Sequence, residues 1–353
     1  MTTPSGARPD WLRRVSAWLA RRSIGTEQAT PPFSKGAIAD LDDLRYAYRL
    51  LLGREPDAEG FASHARRLEA GTLTLTSLVE SFIGSNEYAE RHATATTPVE
   101  VRLDGYSVFV RPVDRDVGQP IREKKSYEPH VTSIVREVLR PSDTFVDIGA
   151  NVGFFTAMAA HLVGASGKVV AIEPMDKNVQ LLCAAVWRNG SAHVEILPYA
   201  ASDHDALLPI ATGPRTSNGQ IVLGDNNRPA IYAQARRTDD MLRHLKAIDL
   251  LKIDVEGHEL LALRGFTEGL ARFRPRMLTE FHPLCMRQNA GIDPAEYLAF
   301  LFGYGAVLEV LREDGVRVAC DTPDDVLREW EAADIRYNSL GTTHVDLFVR
   351  PRD

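Results

Sequence analysis

The 353 residues exceed what one hydrophobic core usually serves, which favours two compact units or one large domain with an appendage. A hydrophobic fraction of 44%, a charged fraction of 25% and a mean hydropathy of -0.19 exclude a disordered or collagen-like chain, and no eighteen-residue apolar run is present to cross a bilayer. The net charge of -7 speaks against a chain built to coat nucleic acid, and no nucleic-acid partner is expected.

Residues 1–36 read as a basic tail and linker. Its first 35 residues hold six bases (Arg8, Arg13, Arg14, Arg21, Arg22, Lys35) against two acids (Asp10, Glu27), a balance of +4 that leaves -11 for the rest. Trp11, Leu12, Val15, Trp18 and Leu19 share one helical stripe with arginines mostly opposite, which suits a helix docked on its own protein or a weak contact of residues 9–22 with an anionic membrane surface. The linker GTEQATPPFSKG follows, rich in turn formers. Cys183, Cys285 and Cys320 are few and far apart, so neither a disulfide framework nor a paired-cysteine zinc site is expected, and a reducing compartment fits. The N-terminus lacks the apolar core of a secretory signal, so the expected location is the cytoplasm, with the inner membrane face as an extension of it.

Residues 37–95 read as helical. Leu41, Leu44, Ala47, Tyr48, Leu51 and Leu52 form one face, GREPDAEG breaks the pattern, and helices resume over Phe61 to Leu68 and Leu75 to Ile83. The stretch YRLLLGREPDAEGFASHARRLEAG, followed by SFIGSNEY, resembles a small helical domain of unknown function found beside bacterial glycan-modifying enzymes. That resemblance implies a docking or scaffolding module with a protein partner, and no catalytic residue.

Residues 96–353 read as an α/β domain. Val101, Leu103, Gly105, Val108 and Val110 alternate as a hairpin with its turn at the glycine. Beyond it, β-rich runs at TFVDI, KVVAI, HVEIL, DLLKIDV and RMLTEF are separated by helical stretches near 152–163, 176–189, 238–246 and 257–267, with further strands at GAVLEVL and HVDLFVR. Such alternation predicts a mostly parallel sheet covered on both faces. The polar segment 212–230 reads as a loop that either covers a substrate or simply wanders, with Arg215 and Arg228 as candidate partners of an anionic acceptor.

In such a sheet, ligands bind outside the carboxyl ends of the strands. The first strand leaves in DIGANVGFF, where Gly149 and Gly153 permit a tight turn and the following helix offers unpaired N–H groups. A dinucleotide fingerprint starting at Gly149 fails at Asn151 and Phe154, which removes an NAD-linked oxidoreductase, and a phosphate-cradling Walker loop lacks its Gly-Lys-Ser/Thr end. An acid, Asp147, precedes the glycines, and Glu173 follows 26 residues later at the tip of the second strand, where a carboxylate can accept both hydroxyls of a ribose. Read singly, Asp147 is equally a strand-end cap and Glu173 a loop acid; read together they suit a nucleoside with a charged amino-acid tail, S-adenosylmethionine.

FVDIGANVGFFT, AIEP, RRTDDML, IDLLKIDVEGHELLALRGF and TEFHP, in this order, resemble the FkbM family of methyltransferases over about residues 100–350. The resemblance implies the seven-stranded, Rossmann-like class I methyltransferase sheet. It places Asp147, Gly149, Asn151, Gly153 and Glu173 along the cofactor, Ala201, Ser202 and Asp203 on the adenine side, and Tyr127 and Glu128 of a Tyr-Glu-Pro element over it. It also carries Asp254, Glu256 and Glu259 as signature residues without fixing which is a base.

Methyl transfer is an in-line displacement in which the protein aligns the acceptor and accepts a proton. Alternation puts Lys252 and Asp254 on one face of the fourth strand, so they can pair; Asp254 is the first candidate for base or acceptor-orienting residue, and an ion pair that fixes the rim is the plainer reading. Glu256 falls in the turn. Glu280 and His282 leave the fifth strand and are candidates for binding the acceptor or, with Asp254, an oxygen-preferring divalent metal; His282 also reads as a hydrogen-bonded turn residue. His258, beside the Glu-Gly pair, either touches substrate or faces solvent. The expected function is O-methylation of a hydroxyl on a sugar, glycan or natural product, and its rival is a non-catalytic scaffold or glycan-binding protein with a degenerate methyltransferase fold.

Overall fold

The computed structural model describes residues 38–52, 54–88, 97–213, 216–221 and 230–351. The basic tail, Arg215 and Arg228 lie outside these residues. Contacts divide the chain into two units, Met1–Ala93 and Thr94–Asp353.

The first unit contains three helices, Leu41–Leu51, Ala58–Glu69 and Leu75–Ile83. Each begins at a residue whose side chain accepts a backbone N–H of the first turn: Asp40 from Asp43, Asp57 from Gly60 and Thr74 from Ser77. Asp40 and Thr74 complete capping boxes, and the helices close over Leu44, Tyr48, Leu73, Leu78 and Phe82.

The second unit opens with the antiparallel hairpin β1 (Val99–Arg102) and β2 (Ser107–Val110), with Gly105 at φ 86° in the turn. Helices Gly118–Lys124 and Pro129–Val138 follow. The main sheet then takes β3 (Thr144–Ile148), β4 (Lys168–Ile172), β5 (Val194–Leu197), β10 (Leu250–Ile253), β11 (Arg276–Phe281), β12 (Gly305–Leu311), β13 (Arg317–Cys320) and β14 (Val345–Pro351), in the order β13-β12-β14-β11-β10-β3-β4-β5. The five strands β5, β4, β3, β10 and β11 run parallel, and β14 inserts antiparallel between β11 and β12. This is the class I methyltransferase arrangement, a seven-stranded sheet with one reversed strand, here extended by β13 as an eighth strand on the edge. Fully buried apolar runs such as residues 169–172 explain why these strands show no polar alternation.

Two features differ from the sequence expectation. The segment between β5 and β10 is a second, four-stranded sheet of order β6-β9-β7-β8, built from β6 (Ala200–Ser202), β7 (Ala206–Thr212), β8 (Gly219–Ile221) and β9 (Ala230–Arg237). Pro209 within β7 and the three-residue length of β8 concealed them. The helix expected near 257–267 is two short helices, Glu259–Arg264 and Thr267–Phe273. They break at Gly265, where a Cβ would stand 1.9 Å from the Ser202 carbonyl oxygen.

Candidate active site

The chain runs outward from β3 to β4 and β5, then crosses to β10 on the other side of β3, so the sheet changes winding direction between β3 and β10. A cavity of about 610 Å³ opens at the carboxyl ends of these strands, within the size range of small-molecule sites.

Its floor is the turn after β3. Gly149 has φ 82°, and a Cβ there would come within 1.8 Å of the Asp254 carbonyl oxygen, so only glycine lets the exits of β3 and β10 meet. Asn151 takes the left-handed conformation (φ 51°); its side-chain amide donates to Asn218 Oδ1 at 2.8 Å and its backbone N–H donates to Glu173 Oε2 at 2.8 Å. Glu173 Oε1 accepts from the Met175 N–H at 2.8 Å, which fixes the carboxyl at the lip of β4. Burial, against these hydrogen bonds, pushes the Glu173 carboxyl up to about 7. Asn151 Oδ1 is buried without a hydrogen-bond partner.

One wall is aromatic: Tyr127 meets Phe154 edge-on, ring centres 5.9 Å apart, and Phe155 lies beside both. The rim beside it is acidic. Lys252, buried, places its Nζ 2.8 Å from Asp254 Oδ2. Burial opposes its charge, but Asp254, Glu128 and Asp147 outweigh burial and hold the ammonium firmly protonated. Glu128 sits at φ 40° immediately before Pro129, and burial together with Asp346 raises its carboxyl to about 8. Glu256 also takes a positive φ, 53°; burial and the neighbouring Asp254 raise it to about 7, while Gln220 donates to it at 3.4 Å. Glu280 is buried at the end of β11 and held well above the ordinary carboxylate range by burial and by Asp254 and Glu256. His282 Nδ1 accepts the Cys285 N–H at 3.4 Å, and burial lowers its imidazole to about 4, so the ring is neutral at physiological pH.

Of the expected cofactor residues, Tyr127, Glu128, Gly149, Asn151, Glu173 and Ala201 line the cavity. Four others do not. Asp147 lies beneath the floor, 1% exposed, and accepts from the Thr156 hydroxyl at 2.6 Å. Gly153 serves helix packing, since a Cβ there would meet Leu182 at 2.4 Å. Ser202 bonds His258 Nε2 at 3.1 Å, and Asp203 pairs with His204 at 2.6 Å. The expected catalytic residues Asp254, Glu256, Glu280 and His282 all reach the cavity wall. Glu259 does not. It is fully buried and its Oε1 accepts the N–H groups of Val255 and Gly257, both at 3.1 Å, so it shapes the loop after β10. His258 is buried against Ser202 at the cavity and does not face solvent.

Among the described residues no group of three or more His, Cys, Asp or Glu side chains is placed to hold a metal ion, and Asp254, Glu280 and His282 do not form one. Sequence reasoning missed His344, Asn218 and Gln220, all of which line the cavity. The available signal for His344 was its position before a strand that, if antiparallel, starts at the edge where the parallel strands end. No helix among the described residues is long and apolar enough to cross a membrane.

The family model described as Methyltransferase FkbM domain matches residues 147–317, and DUF4214, a domain of unknown function, matches residues 33–92. Methyltransferase FkbM of Methylobacillus flagellatus KT is similar at 17% identity and TM-score 0.34, over 86% of this chain and 58% of that one; this chain thus spans less than two thirds of its length. A Streptococcus mutans chain solved in complex with SAH is similar at 9% identity and TM-score 0.37, over 64% and 99% of the two chains. A SAM-dependent O-methyltransferase of Thermotoga maritima is similar at 12% identity and TM-score 0.35, over 73% and 87%. The strand order, rather than these overlaps, identifies the fold. No curated protein matches the sequence.

Proposed function

Residues 147–317 belong to the FkbM methyltransferase family, and from that premise we infer that the chain transfers the methyl group of S-adenosylmethionine to a hydroxyl of a sugar or glycan. The observation that carries the reading is the chemistry of the cavity. Six carboxyl groups, Asp116, Glu128, Glu173, Asp254, Glu256 and Glu280, and one ammonium, Lys252, line it around a glycine turn, a wall that favours a cation such as a sulfonium. Asn151 Oδ1 adds a buried acceptor that a bound ligand can satisfy.

When bound, S-adenosylmethionine supplies an electrophilic methyl carbon next to a good leaving group. The chain's own residues supply the rest. Glu173, held by the Asn151 and Met175 N–H groups, presents a fixed carboxyl to ribose hydroxyls, and the Gly149 turn brings bare backbone against the ligand. Tyr127, Phe154 and Phe155 exclude water, and with reactants aligned and dry, positioning does most of the catalytic work. On the rim, Lys252 holds Asp254 so that the carboxyl orients an acceptor, while Glu280 and His282 offer hydrogen-bonding groups suited to a hydroxyl. The amides of Asn218 and Gln220 suit a polyhydroxylated acceptor. The glycan preference draws further support from the N-terminal module, whose sequence resembles domains found beside glycan-modifying enzymes.

The test is methyl transfer from [methyl-³H]S-adenosylmethionine to a panel of methyl glycosides, with product bonds identified by mass spectrometry. The reading predicts label in an O-methyl ether. Label only in amine or thiol products contradicts the hydroxyl acceptor, and cofactor binding without transfer to any acceptor favours the scaffold alternative.

A further inference from the structure

We propose that His344 is the general base for the acceptor hydroxyl and that Glu280 is its positioning residue; the proposal rests on the O-methylation reading above. Topology creates the pair. Because β14 runs antiparallel to β11, with Asp346 opposite Glu280 in register, the residue just before β14 arrives where β11 ends. There His344 Nδ1 lies 3.2 Å from Glu280 Oε1, and both side chains line the cavity. Glu280 is 8% exposed and its Oε2 has no hydrogen-bond partner, so this buried carboxyl has one oxygen on the imidazole and a second unfilled acceptor position. The His344 side chain is 47% exposed and can meet an incoming acceptor.

Three histidines line the cavity; His258 Nε2 is committed to the Ser202 hydroxyl at 3.1 Å, and tautomer logic separates the other two. A neutral imidazole carries its proton on one nitrogen only. At His282 the Nδ1 accepts the Cys285 N–H, so the proton is on Nε2 and the ring can donate but not accept there. At His344, Glu280 in its ionised form, 3.2 Å from Nδ1, favours the proton on that nitrogen and leaves the Nε2 lone pair free, the arrangement of carboxylate–imidazole bases elsewhere; burial and the neighbouring acids keep Glu280 protonated at lower pH, so the pair is competent only above the pH at which Glu280 ionises. The rings stand 6.0 Å apart and tilted by 32°, one set to donate and the other to accept. Other candidates are committed: Asp254 to Lys252, and Asp346 to His130 at 2.6 Å. The groups around Glu280 are Asp254, Glu256, Glu259 and Asp346, with His344 as its ion-pair partner.

In the step, the acceptor O–H proton moves to His344 Nε2 while an oxygen lone pair forms the new O–C bond. The methyl C–S bond breaks and its electron pair stays on sulfur, giving the neutral thioether. His344 leaves the step as an imidazolium beside the Glu280 carboxylate. Such a base contributes on the order of 10²–10⁴-fold in rate.

The test uses the full-length chain and two readouts. ¹⁵N NMR of the imidazoles, with the His344 signals assigned by their loss in His344→Gln, reports the tautomer without cofactor or acceptor. Above the pH at which Glu280 ionises, the proposal predicts Nδ1–H at His344 in the wild type and a mixed tautomer in Glu280→Gln, recovering in Glu280→Asp. An Nε2–H tautomer in the wild type at that pH overturns it. With the methyl glycosides as acceptors, His344→Ala is expected to lose about 10²–10⁴-fold in kcat, to keep its S-adenosylmethionine Kd within about twofold, and to regain turnover with added imidazole. Near-wild-type kcat in His344→Ala overturns the proposal and leaves the methyltransferase reading intact. A wild type that does not bind S-adenosylmethionine defeats that reading instead, while the NMR result still decides the pair.

Discussion

Lys252 Nζ lies 2.8 Å from Asp254 Oδ2 and 4.8 Å from the centre of the Phe155 ring, joining the acidic rim of the cavity to its aromatic wall. With the ammonium buried among Asp254, Glu128 and Asp147, its removal leaves carboxylates without their counter-charge. Breaking a buried pair from one side typically costs about 3–5 kcal/mol. Lys252→Met is therefore expected to lose stability of that order in urea denaturation. A loss below about 0.5 kcal/mol would show that the rim does not depend on the pair.

Gly149 gives a steric prediction. Alanine there must hold φ near 82° and place its Cβ 1.8 Å from the Asp254 carbonyl oxygen, so the exits of β3 and β10 have to separate. Backbone strain alone costs about 1–3 kcal/mol, and the displaced backbone adds to it. Gly149→Ala should lower the melting temperature and weaken cofactor binding at least tenfold. Wild-type values in both measurements would mean that the close approach is unimportant.

Asp147 is a structural carboxyl by its geometry. The Thr156 hydroxyl is its hydrogen-bond donor, and its second oxygen has no partner. Thr156→Val removes that donor from a buried acid, at a cost of about 1–3 kcal/mol. The same variant is expected to bind S-adenosylmethionine within about threefold of wild type, since Asp147 lies off the cavity wall; a much larger loss of affinity, measured by calorimetry, would bring Asp147 back into the binding site.

Much of this was legible in the sequence. Parallel strands buried on both faces read as short apolar runs, so TFVDI, KVVAI and DLLKIDV marked β3, β4 and β10, and the residues leaving them marked Gly149, Asn151, Glu173 and Asp254. What stayed hidden depends on long-range pairing. β7 and β8 are defined by their partners, not by composition, and His344 gains its neighbour only when β14 slots in beside β11. Asp147 and Ser202 show the converse: their positions at strand ends suggested ligand contact, and their side chains bond Thr156 and His258 off the cavity wall.

Cofactor binding should depend on pH. Burial raises Glu173 to about 7; burial with Asp254 raises Glu256 to about 7; and burial with Asp346 raises Glu128 to about 8. Below these values the carboxyls hold protons, and a sulfonium favours their ionised forms, so binding releases protons and weakens as pH falls from about 8 to 6. One released proton corresponds to roughly tenfold in affinity per pH unit. S-adenosylhomocysteine, whose sulfur is uncharged, should show a shallower dependence. Parallel pH profiles for the two ligands would contradict the role assigned to the acidic wall.

The most direct test of the cofactor assignment is calorimetric titration of S-adenosylmethionine into the full-length wild type and into Glu173→Gln, with circular dichroism to verify that both are folded. In the variant the amide NH₂ faces one of the two backbone N–H donors, Asn151 or Met175, each of which had bonded its own carboxyl oxygen. The account predicts one site in the wild type and at least tenfold weaker binding in folded Glu173→Gln. Absence of binding by the wild type, or equal affinity in the two proteins, would contradict it.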